Sequence, residues 1–492
     1  MSAGTGIIEH MFDTASGLLD RMSHAARSEA VAAADRLSAI GDLYALRLAQ
    51  HGERERWAVD TDDAVAAEVA AALRTSVAMG HSNLRYAKAM RERLPRVADA
   101  FRAGDIDFRL FRVIVYRTDL VTDSAALATL DARLAVRARR WAGMTSHRLA
   151  AAVDRVVAKV DRDALRRSRE DAADRRFDVT STDTGFSCLN GTVFATTGEA
   201  LDRRLNELAA TVCAEDPRTV AQRRADALGV LAAGADRLAC GCGRAECGSA
   251  STRGQRSGVV VHVVADQSAL EGSTENPAVV EGTGLIPAEV LRELAKSAKL
   301  QPLTVPASAA PESGYQPSRK LADFVRARDL TCRAPGCDRP AARCDIDHTV
   351  PYGAGGATHA SNLKCLCRFH HLLKTFWGWS DKQLPDGTVI WTAPSGRTYV
   401  TTPGSALLFP SLAVSTGDLP MPVSSKRPED SCGQRTAMMP ERRRTRRQHR
   451  SANIRAERVR NQRARAERHR RWVECWFPEP APPKPGDEPP PF

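Results

Sequence analysis

A chain of 492 residues, 43% of them hydrophobic and 26% charged, is too long for one ordinary core and too apolar to be disordered, so two or three folded units with linkers are expected. No stretch nears the ~18 continuous apolar residues of a membrane-spanning helix, which argues against a membrane protein, and MSAGTGIIEHMFDTASGLLD lacks the basic flank, apolar run and cleavage pattern of a secretory signal, so a cytoplasmic location is expected. The formal net charge of +12 is matched by residues 442–471 alone, where fourteen arginines stand against Glu457 and Glu467; the basicity belongs to a tail and the rest of the chain is neutral overall.

Residues 1–175 read as helical: Ala, Leu and Arg dominate, and Pro95 is the only proline. Apolar positions recur at helical spacing at Leu37, Ile40, Tyr44 and Leu48, and again at Val65, Val69, Leu73 and Val77, with Thr61, Asp62 and Asp63 as cap and first turn. Such stripes are core-forming. Residues 176–300 change to a mixed α/β pattern that completes the N-terminal domain. There FDVTSTDTGFSCLNGTVF reads as strand, turn and strand around Thr184-Gly185, EALDRRLNELAATV and RTVAQRRADALGVLAAG as helices, and SGVVVHVVAD as a β-branched strand. On the second helix, Arg218, Arg223 and Arg224 fit a salt-bridged or solvated face better than a DNA-contact face. Residues 301–317, QPLTVPASAAPESGYQP, form a linker with a domain boundary near 315. A C-terminal unit over 318–402 opens on the short helix SRKLADFVRARD and closes on WGWSDKQL, TVIWT and RTYVT, short strands joined by PDG and PSG turns. Residues 403–492 are expected to be a low-order tail, with a disordered or helical basic segment and the proline-rich ending PEPAPPKPGDEPPPF, which cannot pack a core.

Twelve cysteines without an export signal point to metal ligands or buried thiols rather than disulfides. Cys332 and Cys337 flank a Pro-Gly turn, and Cys367 and His370 form a C-x2-H pair; together these pairs complete a tetrahedral zinc set, the alternative being four buried, unliganded side chains. Cys240, Cys242 and Cys247 make a second knot, with Cys213 or His262 conceivable as a fourth ligand; a glycine-rich turn with incidental thiols is the competing reading. Zinc structure does not require the remaining constellation of Asp347, His348, Asn362 and His371. A carboxylate with an imidazole suits Mg2+ or Mn2+, and a free histidine suits a general base. The order read here is strand, loop, helix: Cys344–His348 a strand, Gly353–Gly356 a loop, Leu363–Lys374 the start of a helix, so that His348 faces His371.

The run DIDHTVPYGAGG…SNLKCLCRFHHLLK, within residues 320–376, resembles the HNH endonuclease motif, whose ββα-metal fold joins two strands and a helix around a catalytic ion. That resemblance implies His348 as general base, Asp347 and His371 as ligands of a catalytic Mg2+ or Mn2+, and Asn362 as the residue that ties the loop and orients the base. A structural Zn2+ would sit on Cys332, Cys337, Cys367 and His370. Two departures touch zinc affinity: C-x4-C replaces the more usual C-x2-C, and His370 stands where a fourth cysteine is commoner. Cys344 and Cys365 read as packing thiols. More broadly, the Ala-rich N-terminal region, RTVAQRRADAL, CGCGRAEC and CRAPGCDRP are similar to the thirteen-E-twelve repeat family of actinobacteria, whose N-terminal part is domain of unknown function 222; the likeness covers most of residues 20–402.

The expected protein is thus α+β and multidomain: a mainly helical N-terminal region, a mixed α/β middle, a zinc-containing ββα-metal (HNH) domain and a basic tail. The expected activity is metal-dependent hydrolysis of phosphodiester bonds in DNA. The alternative is a catalytically inactive, zinc-stabilised DNA-binding protein of a repeated or mobile element. Arg442, Arg443, Arg444, Arg446 and Arg447 open a tail suited to bidentate phosphate contact, against the alternative of a merely solvated helix.

Overall fold

Side-chain caps set most of the helix starts. The computed structural model describes residues 15–141, 143–165, 176–181, 186–244, 246–248, 261–280, 284–296, 298–307, 309–419 and 438–476. Seven helices open the chain: α1 (Ala15–His51), α2 (Thr61–Leu73), α3 (Val77–Lys88), α4 (Pro95–Arg102), α5 (Phe108–Thr118), α6 (Ser124–Ala138) and α7 (Ser146–Val160). Asp60, one residue earlier than the predicted cap, accepts from the Asp63 amide at 2.9 Å, and Asp63 answers in a capping box. Ser76, Asp107, Asp123 and Thr145 cap α3, α5, α6 and α7 in the same way.

The first core lies among these helices and includes Leu37, Phe101, Phe111, Ile114, Leu134 and Val153. Burial of each large apolar side chain there stabilises by about 1.5–3 kcal/mol, and Phe101 stacks on Phe111 with centroids 4.9 Å apart. Helix α2 is buried on two sides. Val65 and Val69 face the first core, while Ala64, Ala67 and Ala71 join a second core with Phe324, Val325, Leu366, Trp377 and Trp391. Its alanines are what let two layers approach. Gly80 of α3 serves the same end, since a β-carbon there would collide with the Ala66 carbonyl.

The middle of the chain holds the hairpin β1 (Arg176–Ser181) and β2 (Ser187–Thr192), then α8 (Ala195–Ala209) and α9 (Val220–Ala232), as expected, although the predicted Thr184-Gly185 turn lies outside the described residues. The predicted strand SGVVVHVVAD is reduced to β3 (Val263–Val264), its first four residues also lying outside. With α10 (Gln267–Leu270), β4 (Ala278–Val280), β5 (Gly284–Ile286) and α11 (Ala288–Ala295), it closes a small core around Ala278, Ile286 and Leu291.

The C-terminal unit begins at α12 (Arg319–Asp329). Strands β6 (Cys344–His348) and β7 (Leu363–Cys367) pair antiparallel, Cys344 opposite Cys367 and His348 opposite Leu363, and α13 (Arg368–Phe376) follows directly. The predicted helix start at Leu363 is therefore corrected to a strand. All five residues of β7 are buried, so the strand shows no alternation by which it could be told from a helix. The meander β8 (Ser380–Gln383), β9 (Val389–Thr392) and β10 (Thr398–Thr401) follows the predicted turns.

The expected low-order tail is corrected at Phe409 and Leu412, which are buried in the second core. Of the two readings of the basic segment the structure has the helical one, α14 (Arg446–Trp476), and lays it on the N-terminal region. Residues 420–437 and the proline-rich ending lie outside the described residues. The linker 301–317 has no helix or strand among its described residues, yet the second core crosses the boundary near 315: Trp377 donates its indole N–H to the Val59 carbonyl at 3.0 Å, and Trp57 packs edge-on against Trp377.

Candidate metal centre and active site

Four ligand-type side chains converge where α12, β7 and α13 meet. Cys332 follows α12, Cys337 ends a knuckle turned by Gly336 at φ +68°, Cys367 ends β7, and His370 lies in the first turn of α13. Their donor atoms all lie within 4.8 Å of one another. The His370 Nδ1 stands 3.3 Å from Cys367 Sγ and 3.5 Å from Cys332 Sγ. Hydrogen bonding with Cys332 and Cys367, then burial, pushes the Cys337 thiol far up, while the same bonds from Cys332 and Cys337 hold Cys367 far below its ordinary value. Thiols so crowded ionise together only around a cation, and this donor set suits zinc. Cys344 donates toward the Pro340 carbonyl at 3.3 Å and Cys365 is fully buried, so neither belongs to the group. Behind the group, the buried Arg328 donates to the Ala360 and Leu363 carbonyls at 2.8 and 2.7 Å, and Asp329 accepts from the Cys365 amide at 2.7 Å, locking β7 to α12.

Strand alternation divides the second constellation. Asp345 and Asp347 share the face of β6 that meets α13. His371 lies between them, with Nδ1 2.9 Å from Asp345 Oδ2 and Nε2 3.5 Å from Asp347 Oδ1. The other oxygen of Asp347 accepts from Lys364 at 2.8 Å and Lys374 at 2.7 Å. Asp381 of β8 completes a neutral quartet, 2.5 Å from Lys364 and 3.1 Å from Lys374, contributing charge without an aligned hydrogen bond. Burial alone would raise the Asp347 carboxyl; the two ammonium groups overrule it and hold it at about 2.

His348 turns elsewhere. Its ring stacks on Tyr315 with centroids 5.3 Å apart and meets Tyr352 edge-on, and its Nε2 lies 3.0 Å from Thr358 Oγ1. Among the described residues no hydrogen bond joins it to His371, so the expected facing pair is corrected: Asp347 and His371 come together, and His348 lies against the loop. Thr358 spends its own proton on the Gly314 carbonyl at 2.6 Å. His348 Nε2 must then donate, which leaves Nδ1 with the lone pair. Burial lowers the His348 pKa, keeping the ring neutral near pH 7. Asn362 donates to the Val350 and Ala357 carbonyls at 3.1 and 2.8 Å and accepts from the Val350 amide at 2.8 Å, closing the loop between the strands. Sequence reasoning missed Asp345, Lys364, Lys374, Asp381, Tyr315 and Thr358. The i, i+2 repeat of Asp345 and Asp347 was the one local signal available.

The arginines expected to meet DNA are partly committed within the chain. Arg442 and Arg446 pair with the buried Asp60 and Asp63 of the α2 cap, and Arg447 with Glu53 and Glu55. Arg443 and Arg444 are exposed and carry no ion pair among the described residues. Along α14 the inward side continues through Arg450 on Asp119, Ile454 on the first core, Arg458 on Asp161 and Arg465 on Asp163. The outward side keeps Arg455, Arg460 and Arg463 exposed. Arg442→Ala with Arg446→Ala is expected to cost about 1–3 kcal/mol, less than a fully buried pair because both guanidiniums are partly exposed, and to speed amide exchange in the first turns of α14; unchanged exchange there would refute the anchoring role.

Fold and site together define a mixed α/β protein whose C-terminal part carries a Cys/His group able to hold a metal such as zinc. The chain belongs to the family described as "Domain of unknown function (DUF222)", which matches residues 24–329. It is similar to two Mycobacterium tuberculosis proteins: the uncharacterized protein Rv2100, 44% identical with 96% of this chain and 94% of the relative covered, and the uncharacterized protein Rv3776, 46% identical with 90% and 89% covered. No solved structure matches the chain. The family match ends at Asp329, just before the first cysteine of the metal group. No helix among the described residues is long and apolar enough to cross a membrane.

Proposed function

We propose that the chain is a metal-dependent endonuclease hydrolysing phosphodiester bonds in DNA through an HNH-type ββα module. The observation that carries this reading is the series Asp345–His371–Asp347. With Asp345 accepting from Nδ1, His371 presents the Nε2 lone pair toward Asp347 Oδ1 at 3.5 Å. A carboxylate behind a ligating imidazole is the usual way of fixing its tautomer. Two ligands about 2.1 Å from an octahedral ion stand about 3 Å apart, so Asp347 and His371 fit a catalytic Mg2+ or Mn2+ with little adjustment. An ion there would supply positive charge at the scissile phosphate and leaving oxygen. Lys364 and Lys374 keep Asp347 ionised and fix its orientation through the oxygen turned away from His371. His348, neutral and with Nδ1 unprotonated, takes the proton of the attacking water, and Asn362 holds the loop against which it rests. The outward arginines of α14 offer phosphate contact without base readout.

The stack of Tyr315 on His348, which is only 5% exposed, favours a second reading in which the module binds DNA without cutting it. Plasmid cleavage in Mg2+ or Mn2+ separates the two. The parent is expected to nick or linearise supercoiled DNA, and His348→Ala to cut about 10²–10⁴-fold more slowly while keeping its zinc. Salt-sensitive DNA binding with no cleavage by either protein would establish the binding reading instead.

A further inference from the structure

We propose that Cys213, Cys240, Cys242 and Cys247 form a second metal centre, separate from the Cys/His group, which takes one zinc ion as a tetrathiolate and fastens the α8–α9 unit. Their sulfur atoms all lie within 4.8 Å of one another, and every one of the four residues is partly buried. Cys213 lies on the segment leaving α8, and the other three on the segment leaving α9, so one ion would tie both exits of the helical pair. The candidate fourth ligand His262 is exposed and stands outside the group.

The two segments are already registered without an ion. Thr211 Oγ1 accepts from the Leu238 amide at 2.9 Å, Asp216 accepts from the Gly241 amide at 2.8 Å, and Arg218 donates to the Ala239 carbonyl at 2.6 Å while pairing with the same Asp216. The Asp216 side chain is fully buried, so this scaffold is built into the fold. Among the described residues the core of this unit is small: Leu205, Leu208 and Ala227 are buried between the helices, with Leu201, Leu228 and Val230 partly buried against them, and Ala209 and Leu238 are buried nearby. A unit with so little apolar burial needs a staple, and metals serve that purpose in small folds.

The chemistry selects the ion. Four sulfurs with no carboxylate or imidazole suit a tetrahedral, thiophilic ion. Sulfurs gathered this closely give up their protons to a metal ion as it binds. A disulfide is the competing outcome, since Cys213 Sγ and Cys240 Sγ are 3.4 Å apart. It would engage only two of the four sulfurs that the fold gathers.

The centre does not depend on the nuclease reading, and its test uses zinc alone. Native mass spectrometry of the full chain, purified with zinc under reducing conditions, is expected to show two zinc ions per chain, falling to one in Cys240→Ser with Cys242→Ser. If that variant does not fold, alkylation mapping of the parent decides: Cys213, Cys240, Cys242 and Cys247 should resist modification until a chelator is added. Free alkylation of these four before chelation, a Cys213–Cys240 disulfide in the reduced-purified chain, bound iron in place of zinc, or an unchanged zinc count in the variant would each overturn the proposal.

Discussion

Cys367→Ser is expected to unfold the C-terminal unit while the N-terminal helices hold. Cys367 ends β7, precedes α13 and stands opposite Cys344 across the sheet, and its amide donates to Cys332 Sγ at 3.3 Å. Losing one thiolate from a four-ligand set forfeits much of the binding free energy, about 10–16 kcal/mol for small zinc domains. This unit is also held by the apolar core it shares with α2, so the expected loss is smaller, about 3–5 kcal/mol, still a large share of the ~5–15 kcal/mol that holds a typical domain. Trp377, Trp379 and Trp391 are buried in the core that also holds Cys332 and Cys367, so the emission maximum should shift to the red as the unit opens, and a strong chelator should reproduce the shift in the parent. Parent protein whose melting temperature and emission ignore the chelator would show that the group is not a structural metal site.

Lys364→Met is expected to cost a similar amount, about 3–5 kcal/mol, by a different route. The ammonium group has no exposure and lies between Asp347, 10% exposed, and Asp381, 1% exposed. Removing it leaves two buried carboxylates to share Lys374. Adding Asp381→Leu removes the surplus charge, so the double variant should recover most of the loss, and a double-mutant cycle in urea measures that recovery. The pH dependence has a definite sign. The Asp347 pKa is depressed to about 2 in the fold, against about 3.9 unfolded, so its contribution of about 2–3 kcal/mol is fully present above the unfolded value and is lost as pH falls through the folded one. Lys364 is raised by Asp381 and Asp347 against its burial; its contribution holds below its unfolded pKa and is lost only as pH rises through the folded value. In Lys364→Met the acid midpoint should therefore move to higher pH. An acid midpoint unmoved by the substitution would contradict the coupling of Asp347 to Lys364.

Several features were legible because they are local. The Cys-x4-Cys knuckle and Cys-x2-His pair follow from ligand spacing across a turn and one helical turn. The strands of the C-terminal meander follow from alternation and PDG and PSG turns, and the N-terminal helices from apolar stripes and polar caps. What escaped depends on partners far away in the chain. β7 is buried on both faces, so its apolar run carries no period. Asp381 lies on a different sheet from Asp347, and only the packing of β8 against β7 brings it to Lys364. The arginine run could be read as a phosphate clamp because its acidic partners, Asp60, Asp63, Asp119 and Asp161, lie hundreds of residues upstream.

The sequence by itself determined which side chains could ligate a metal and where most of the helices and the C-terminal hairpins lie, since ligand spacing, capping and periodicity act within a few residues. Only the tertiary structure decided which of those residues meet. It set Asp345 and Asp347 on either side of His371, turned His348 toward Thr358 and Tyr315, gathered Cys213 with the later cysteines, and divided the arginines of α14 into an anchored side and an open one. Charge and hydrogen-bond partners are chosen by proximity in space, which the two cores on either side of α2 and the smaller core between α8 and α9 fix.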